Sequence, residues 1–70
     1  MYVKAFLFPD DSSFHCILSD SGDIQRGMEF NTEGTLTSYL TGDACIQRIW
    51  QITKDKTRNF TVKEFAPTYR

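Results

Sequence analysis

The sequence predicts a small α+β domain in which one short helix packs on one face of an antiparallel sheet. Three observations support this class. Short β-favouring stretches separated by turn residues occupy the first thirty positions, the hydrophobic period changes near residue 32, and ten aromatic residues supply apolar area for a core. The 70 residues are enough for one domain, and a chain of this length buries roughly 60 % of the surface that its unfolded form exposes.

The first two strands are predicted from alternation. Residues 2–8 are apolar on both sides, with Tyr2 and Phe6 on one side and Val3 and Leu7 on the other. This is typical of a strand that is covered on both faces or lies at a subunit contact. The composition of residues 9–13 indicates a turn, and residues 14–19 form a second alternating stretch, so the pair is predicted to be an antiparallel hairpin.

A third strand is predicted at residues 24–30, after a turn at 20–23. Gly27 weakens this strand and is interpreted as the mark of a β-bulge. Asn31 or Thr32 is then expected to cap a helix, because the apolar positions that follow have helical spacing. These positions are Leu36, Tyr39 and Leu40. Gly42 is expected to end the helix in a left-handed conformation.

The stretch at residues 45–65 can be interpreted in two ways. Asp43 would cap a helix with an apolar side that includes Ile46, Ile49 and Trp50, yet most apolar residues of the stretch are β-favouring types. We favour strands at 45–53 and 60–65, because a hairpin provides the last strand with a sequence neighbour to pair with.

The predicted order of elements is then β-β-(β)-α-β-β in a single domain spanning residues 1–70. Pro67 should end the ladder, and residues 67–70 are expected to fray. One sheet face lies under the helix, and the other needs a cover or is the functional surface.

Charge and composition argue against two classes of protein, dedicated duplex-binding proteins and membrane proteins. The net charge is −1, with −4 on residues 1–35 and +3 on residues 36–70, which argues against a dedicated duplex-binding protein. No stretch approaches the ~20 apolar residues that a membrane span requires, and no signal peptide is recognisable, so we expect a cytoplasmic protein without membrane association.

No catalytic, metal or cofactor site is predicted. His15 and Cys16 are adjacent on a predicted strand, so their side chains point to opposite faces and cannot act as a thiol–imidazole pair. Cys16 and Cys45 lie far apart in the chain and lack the clustered spacing of zinc ligands. A disulfide between them requires neighbouring strands. The four glycines form no phosphate-binding loop. We therefore expect a protein that is not an enzyme.

A basic run gives one functional alternative, a single-stranded nucleic-acid-binding protein. Its residues are Lys54, Lys56 and Arg58, flanked by Trp50 and Phe60. Aromatic rings on a sheet next to basic loops can stack with bases, although the chain as a whole has no basic excess.

The favoured hypothesis is a protein-binding module. The aromatic and aliphatic side chains are too numerous for one side of a sheet to bury, and such an excess indicates a protein contact. The predicted contact residues are Trp50, Ile49, Phe65, Tyr2, Arg48 and Arg58. The partner is another protein or a second copy that forms a homodimer, and the end strand at 60–65 is a further candidate edge for strand addition.

In size, compactness and lack of a catalytic constellation, the chain resembles the small accessory proteins of bacteriophages and mobile elements. The resemblance is one of type and involves no particular residues. It implies an inhibitor or adaptor that acts by occluding the surface of one host protein.

Overall fold

The computed structural model describes residues 1–65, which form five strands and one helix. In chain order these are β1 (Tyr2–Leu7), β2 (Ser13–Leu18), β3 (Ile24–Phe30), β4 (Leu36–Thr41), α1 (Asp43–Lys54) and β5 (Thr61–Phe65). The strands make one antiparallel sheet in the order β4-β3-β2-β1-β5. The predicted α+β class, with an antiparallel sheet and a helix on one face, is confirmed. The expected fraying of residues 67–70 lies outside the described residues.

The core lies between α1 and one face of the sheet. Residues that face each other across the ladders share a face, and the partners Phe6 and Phe14 mark the covered one. Both rings are buried, their centroids lie 6.4 Å apart, and Ile52 from α1 packs with them. Three of the eight buried hydrophobic residues in the described part of the chain are phenylalanines, whose large side chains bury much apolar area each.

The helix occupies residues 43–54, so the favoured prediction of a strand at 45–53 was wrong. Cys45, Ile49 and Ile52 recur at helical spacing and face the core, whereas Trp50 is exposed. Asp43 in the first turn and Lys54 in the last both complement the helix dipole. The β-branched residues are tolerated because burial against the sheet outweighs their weak helix propensity.

The predicted helix after residue 31 is instead strand β4. Asn31 Oδ1 accepts hydrogen bonds from the backbone N–H groups of Glu33 and Thr35, at 3.0 and 2.9 Å, and so shapes the hairpin turn between β3 and β4. The same acceptor chemistry serves a helix cap, which is why the sequence signal was ambiguous. Gly42 has the expected positive φ of 60°, but it precedes α1 rather than ending a helix.

β5 pairs with β1 and not with residues 45–53, so the last strand finds its partner at the opposite end of the chain. The bulges also differ from the prediction. Register shifts leave Gln25 and Thr37 without a partner on β2 and β3 respectively, while Gly27 pairs normally with Cys16. Gly27 is required for packing instead, because a Cβ at this position would lie 2.6 Å from the Phe14 ring.

Candidate functional site

The sheet face opposite α1 is uncovered within residues 1–65, and we call it the open face. The ladder register places fifteen residues on it in three rows that cross the sheet from β5 to β4. The upper row is Phe65, Val3, Ile17, Arg26 and Thr41; the middle row is Lys63, Ala5, His15, Met28 and Tyr39; the lower row is Thr61, Leu7, Ser13, Phe30 and Leu36. Nine of the fifteen are aliphatic or aromatic.

The open face is accessible at its two edges and more compact at its centre. Tyr39 and Leu36 on β4 are 52 % and 48 % exposed, and Phe65 on β5 is 50 % exposed. Ala5, by contrast, is fully buried between larger neighbours. An apolar sheet face of this kind differs from the ordinary antiparallel sheet, in which the solvent side carries polar residues.

The charges of the open face have one sign. Arg26 and Lys63 lie on it, whereas all nine acidic residues of the chain lie on turns, on the helix or on the covered side, all of them within residues 1–65. Glu29 and Glu64, the acidic residues of the strands, are paired in register with Phe14 and Lys4 and therefore project toward the helix side. The open face therefore carries two cations and no carboxylate among residues 1–65.

His15 sits at the centre of the open face. Its Nε2 lies 3.0 Å from the Ser13 hydroxyl, and its ring meets Phe30 edge-on at a centroid distance of 5.1 Å. Partial burial lowers the pKa of this imidazole, because desolvation disfavours the charged form. Cys16, its neighbour in sequence, lies on the covered face, as predicted from strand alternation.

The six predicted contact residues are divided among three surfaces. Phe65 lies on the open face, while Tyr2 lies on the helix side of β1. Trp50 is 60 % exposed on the outer side of α1, with the Lys54 ammonium 5.2 Å from its ring centroid. Ile49, in contrast, packs against the core.

The two arginines of the predicted contact set already have partners within the chain. Arg48 Nε lies 2.9 Å from Glu29 Oε1, an ion pair that ties α1 to β3. The Arg58 guanidinium lies 3.7 Å from the centroid of the Phe8 ring and donates a 2.9 Å hydrogen bond to Ser12. Asp10 Oδ2 lies 3.7 Å from a terminal nitrogen of the same guanidinium. Arg58 therefore fixes the loop after α1 to the β1–β2 turn, a structural role compatible with partial exposure.

The residues of the nucleic-acid alternative are likewise only partly free. Phe60 is half-buried and packs on Phe6, with ring centroids 5.7 Å apart. Lys54 and Lys56 remain exposed on the helix end and the following turn. The basic run is thus a solvated turn next to the core. Of its two flanking aromatic residues, Trp50 has an exposed ring that could stack with a base, whereas Phe60 does not.

Both cysteines are buried as free thiols on the covered side. Cys45 donates to the Leu40 carbonyl at 3.0 Å, and Cys16 donates to the Lys4 carbonyl at 3.4 Å. Burial raises the pKa of each thiol, which is the opposite of what a nucleophilic cysteine requires. The predicted absence of a thiol–imidazole pair agrees with the separation of His15 from Cys16.

Concave and metal-binding features are minor in the described part of the chain. One depression of about 180 Å³ is lined by Leu7, Phe8, Pro9, Asn59, Phe60 and Thr61. Another of about 190 Å³ is lined by Arg48, Gln51, Ile52, Asp55 and Arg58. Both are smaller than the roughly 300–1,000 Å³ of typical ligand pockets. Residues 1–65 contain no cluster of three or more histidine, cysteine, aspartate or glutamate side chains that could hold a metal ion. Within the same range, no helix has the length and apolarity to cross a bilayer.

Sequence reasoning missed most of the open face. Arg26 and Lys63 lie on strands that were predicted, but only the register of the ladders shows that they share a face. Tyr39 was not predicted as a site residue because residues 36–41 were assigned to a helix. Assigning that stretch to a helix removed β4 from the sheet and Tyr39 from the open face.

The chain was also compared with known proteins. No protein-family model, curated protein or solved structure matches it.

Proposed function

We propose that this protein is a non-enzymatic protein-binding module that contacts its partner through the open face. The observation that carries the proposal is the combination of an apolar sheet surface with two cations and no carboxylate among residues 1–65. The complementary partner has an apolar patch bordered by acidic side chains. Occupation of that patch would block it for other molecules, which is how an inhibitor or adaptor of this size would act.

The chemistry of the open face favours a protein over a nucleic acid. Its half-exposed rings, Tyr39 and Phe65, lie on the two opposite outer strands and form no continuous platform for successive bases. Arg26 and Lys63 provide for only about two phosphate contacts. A protein patch needs fewer charges, since burial of apolar area supplies the main free energy and charges confer orientation and specificity.

The same charges disfavour a homodimer that packs open face against open face. Such a dimer would bring two copies each of Arg26 and Lys63 into one interface without a carboxylate to pair with them. Unpaired like charges in a desolvated contact cost several kcal/mol by the usual estimates. A foreign partner with acidic residues avoids this cost.

A charge-reversal pair tests the proposal. The tagged full-length chain would be used to capture proteins from nuclease-treated lysate of its source, and captured proteins would then be purified and titrated. We expect Arg26→Glu/Lys63→Glu to weaken binding of the relevant partner by at least tenfold, since each of two attractive contacts becomes repulsive. The matched control Lys54→Glu/Lys56→Glu makes the same change in net charge on the basic turn and should bind normally.

Two results would overturn the proposal. One is a purified partner that binds Arg26→Glu/Lys63→Glu as tightly as the unmodified chain. The other is binding to a fluorescent single-stranded oligonucleotide that weakens steeply with salt and is lost in Lys54→Glu/Lys56→Glu, which would favour the nucleic-acid alternative instead.

A further inference from the structure

The two outer strands of the sheet differ in how they are protected. β5 carries Lys63 and Glu64, and charged side chains on an edge strand discourage pairing with another chain. β4 has six residues, all of them uncharged and without proline: Leu36, Thr37, Ser38, Tyr39, Leu40 and Thr41. No strand within residues 1–65 pairs with its outer edge.

The remaining protection of β4 is incomplete. A register shift leaves Thr37 as an extra residue opposite β3, and bulges of this kind are one way to disrupt an edge. The bulge lies near the start of the strand, however, and Ser38, Tyr39, Leu40 and Thr41 keep a regular register with β3. Helix α1 packs on the covered face, where Cys45 Sγ donates to the Leu40 carbonyl of β4, and β4 remains an outer strand of the sheet within residues 1–65.

We propose that β4 pairs antiparallel with β4 of a second copy, which joins the two sheets into one of ten strands. A two-fold axis beside an edge strand places that strand next to the same strand of the second copy. The strand must therefore be able to pair with an identical strand running in the opposite direction. β4 meets this requirement because its uncharged residues create no like-charge pair in any register. Threonine and tyrosine are also favourable cross-strand neighbours.

The exposed side chains of β4 provide the second support. Tyr39 and Leu36 are about half exposed at this edge, and a second sheet beside them would cover part of their apolar surface. Edge pairing keeps the cations of the two open faces side by side rather than opposed, so it avoids the repulsion of a face-to-face dimer. A strand of six residues makes a small interface, and the association should therefore be weak and concentration-dependent.

This inference does not rest on the proposed function, because it concerns backbone pairing along the outer edge of β4, although Leu36, Tyr39 and Thr41 also belong to the open face. The test uses two variants of the full chain with opposite charges on exposed β4 positions, Thr37→Lys/Thr41→Lys and Thr37→Glu/Thr41→Glu. Sedimentation and native mass spectrometry would follow association up to millimolar concentration. Circular dichroism would confirm that each variant folds.

We expect the unmodified chain to form a dimer, and each variant alone to dimerise at least tenfold more weakly, since like charges meet across the two-fold axis. An equimolar mixture of the two should form the mixed dimer, which native mass spectrometry separates by mass. The control Gln47→Lys/Thr61→Lys adds the same charge on the outer side of α1 and on β5 and should dimerise like the unmodified chain. An unmodified chain that stays monomeric, or a mixture that forms no mixed dimer, would overturn the inference.

Discussion

The covered and open faces of the sheet are built from the same strands, yet they differ in packing and in charge. On the covered face, Phe6, Phe14 and Cys16 are buried beneath α1. On the open face of the same strands, Val3, Leu7 and Ile17 are also apolar but only partly buried, and only the small Ala5 is fully buried. One short helix can cover only one side of a five-stranded sheet. The difference shows that hydrophobicity alone does not decide which residues form the core.

The largest effect is expected from truncation of the covered face. Phe14→Ala should lower the free energy of unfolding by about 3–5 kcal/mol, because Phe14 is fully buried and its removal leaves a cavity. A domain of this size is marginally stable, so much of the variant would be unfolded at 25 °C. The matched change Phe30→Ala on the open face should cost less than half as much in urea denaturation. Equal costs would contradict the assignment of the two faces.

Gly27→Ala tests the close packing under α1 and should cost about 1–3 kcal/mol. The added methyl group would lie 2.6 Å from the Phe14 ring and 3.1 Å from Cys45 Sγ, so both neighbours must move. In a Phe14→Leu background the cost should fall, since the shorter side chain relieves the contact. An identical cost in both backgrounds, measured by urea denaturation, would show that Phe14 does not limit the space at this position.

The buried thiols predict a loss of stability at alkaline pH. Burial raises the pKa of Cys16 and Cys45 above the ordinary value of 9.0, so the unfolded chain releases these protons at lower pH than the folded chain does. The stabilisation is complete below pH 9 and is lost as the pH rises through the higher folded values. Denaturation midpoints between pH 7 and 10 would measure the decline.

The double variant Cys16→Ala/Cys45→Ala provides the control for this titration, because every other group that titrates in the same range is unchanged. Its stability should fall less steeply above pH 9. Parallel curves for the two proteins would mean that the thiols do not cause the decline.

The smallest effects on folding are expected for exposed aromatic residues. Tyr39→Ala and Phe65→Ala on the open face, and Trp50→Ala on the outer side of α1, should each change the free energy of unfolding by about 1 kcal/mol or less. All three side chains are at least half exposed. Thermal denaturation would check this, and a loss above about 2 kcal/mol at Trp50 would place that residue in the core.

The same three variants sharpen the comparison between surfaces when partner binding is measured. Under the proposed function, Tyr39→Ala and Phe65→Ala should weaken binding, whereas Trp50→Ala should leave it unchanged. The opposite pattern would move the contact to the outer side of α1, where Trp50 was predicted from the sequence to act.

Strand prediction succeeded where alternation was regular and failed where two periods fitted equally well. The alternation of β1 and β2 correctly indicated two apolar sides and separated His15 from Cys16. In the stretches that became β4 and α1, apolar residues recurred at both strand and helix spacing, and the capping signal at Asn31 served a hairpin turn instead. Tyr39 was missed for the same reason, because it joins the open face only when β4 is a strand, whereas Arg26 and Lys63 are joined on that face only by the register of the ladders.

By itself, the sequence determined the α+β class, the two-sided apolar character of the first strands and the concentration of its acidic residues in turns and near the helix. These properties follow from local alternation and turn chemistry, which act within a few residues. Only the tertiary structure decided that residues 43–54 are helical, that β5 pairs with β1 and that Arg26 and Lys63 share an acid-free face. Each of these depends on contacts between residues distant in the chain, because burial against Phe14 and Gly27 outweighs the weak local preference of the helix, and register alone brings separate strands onto one surface.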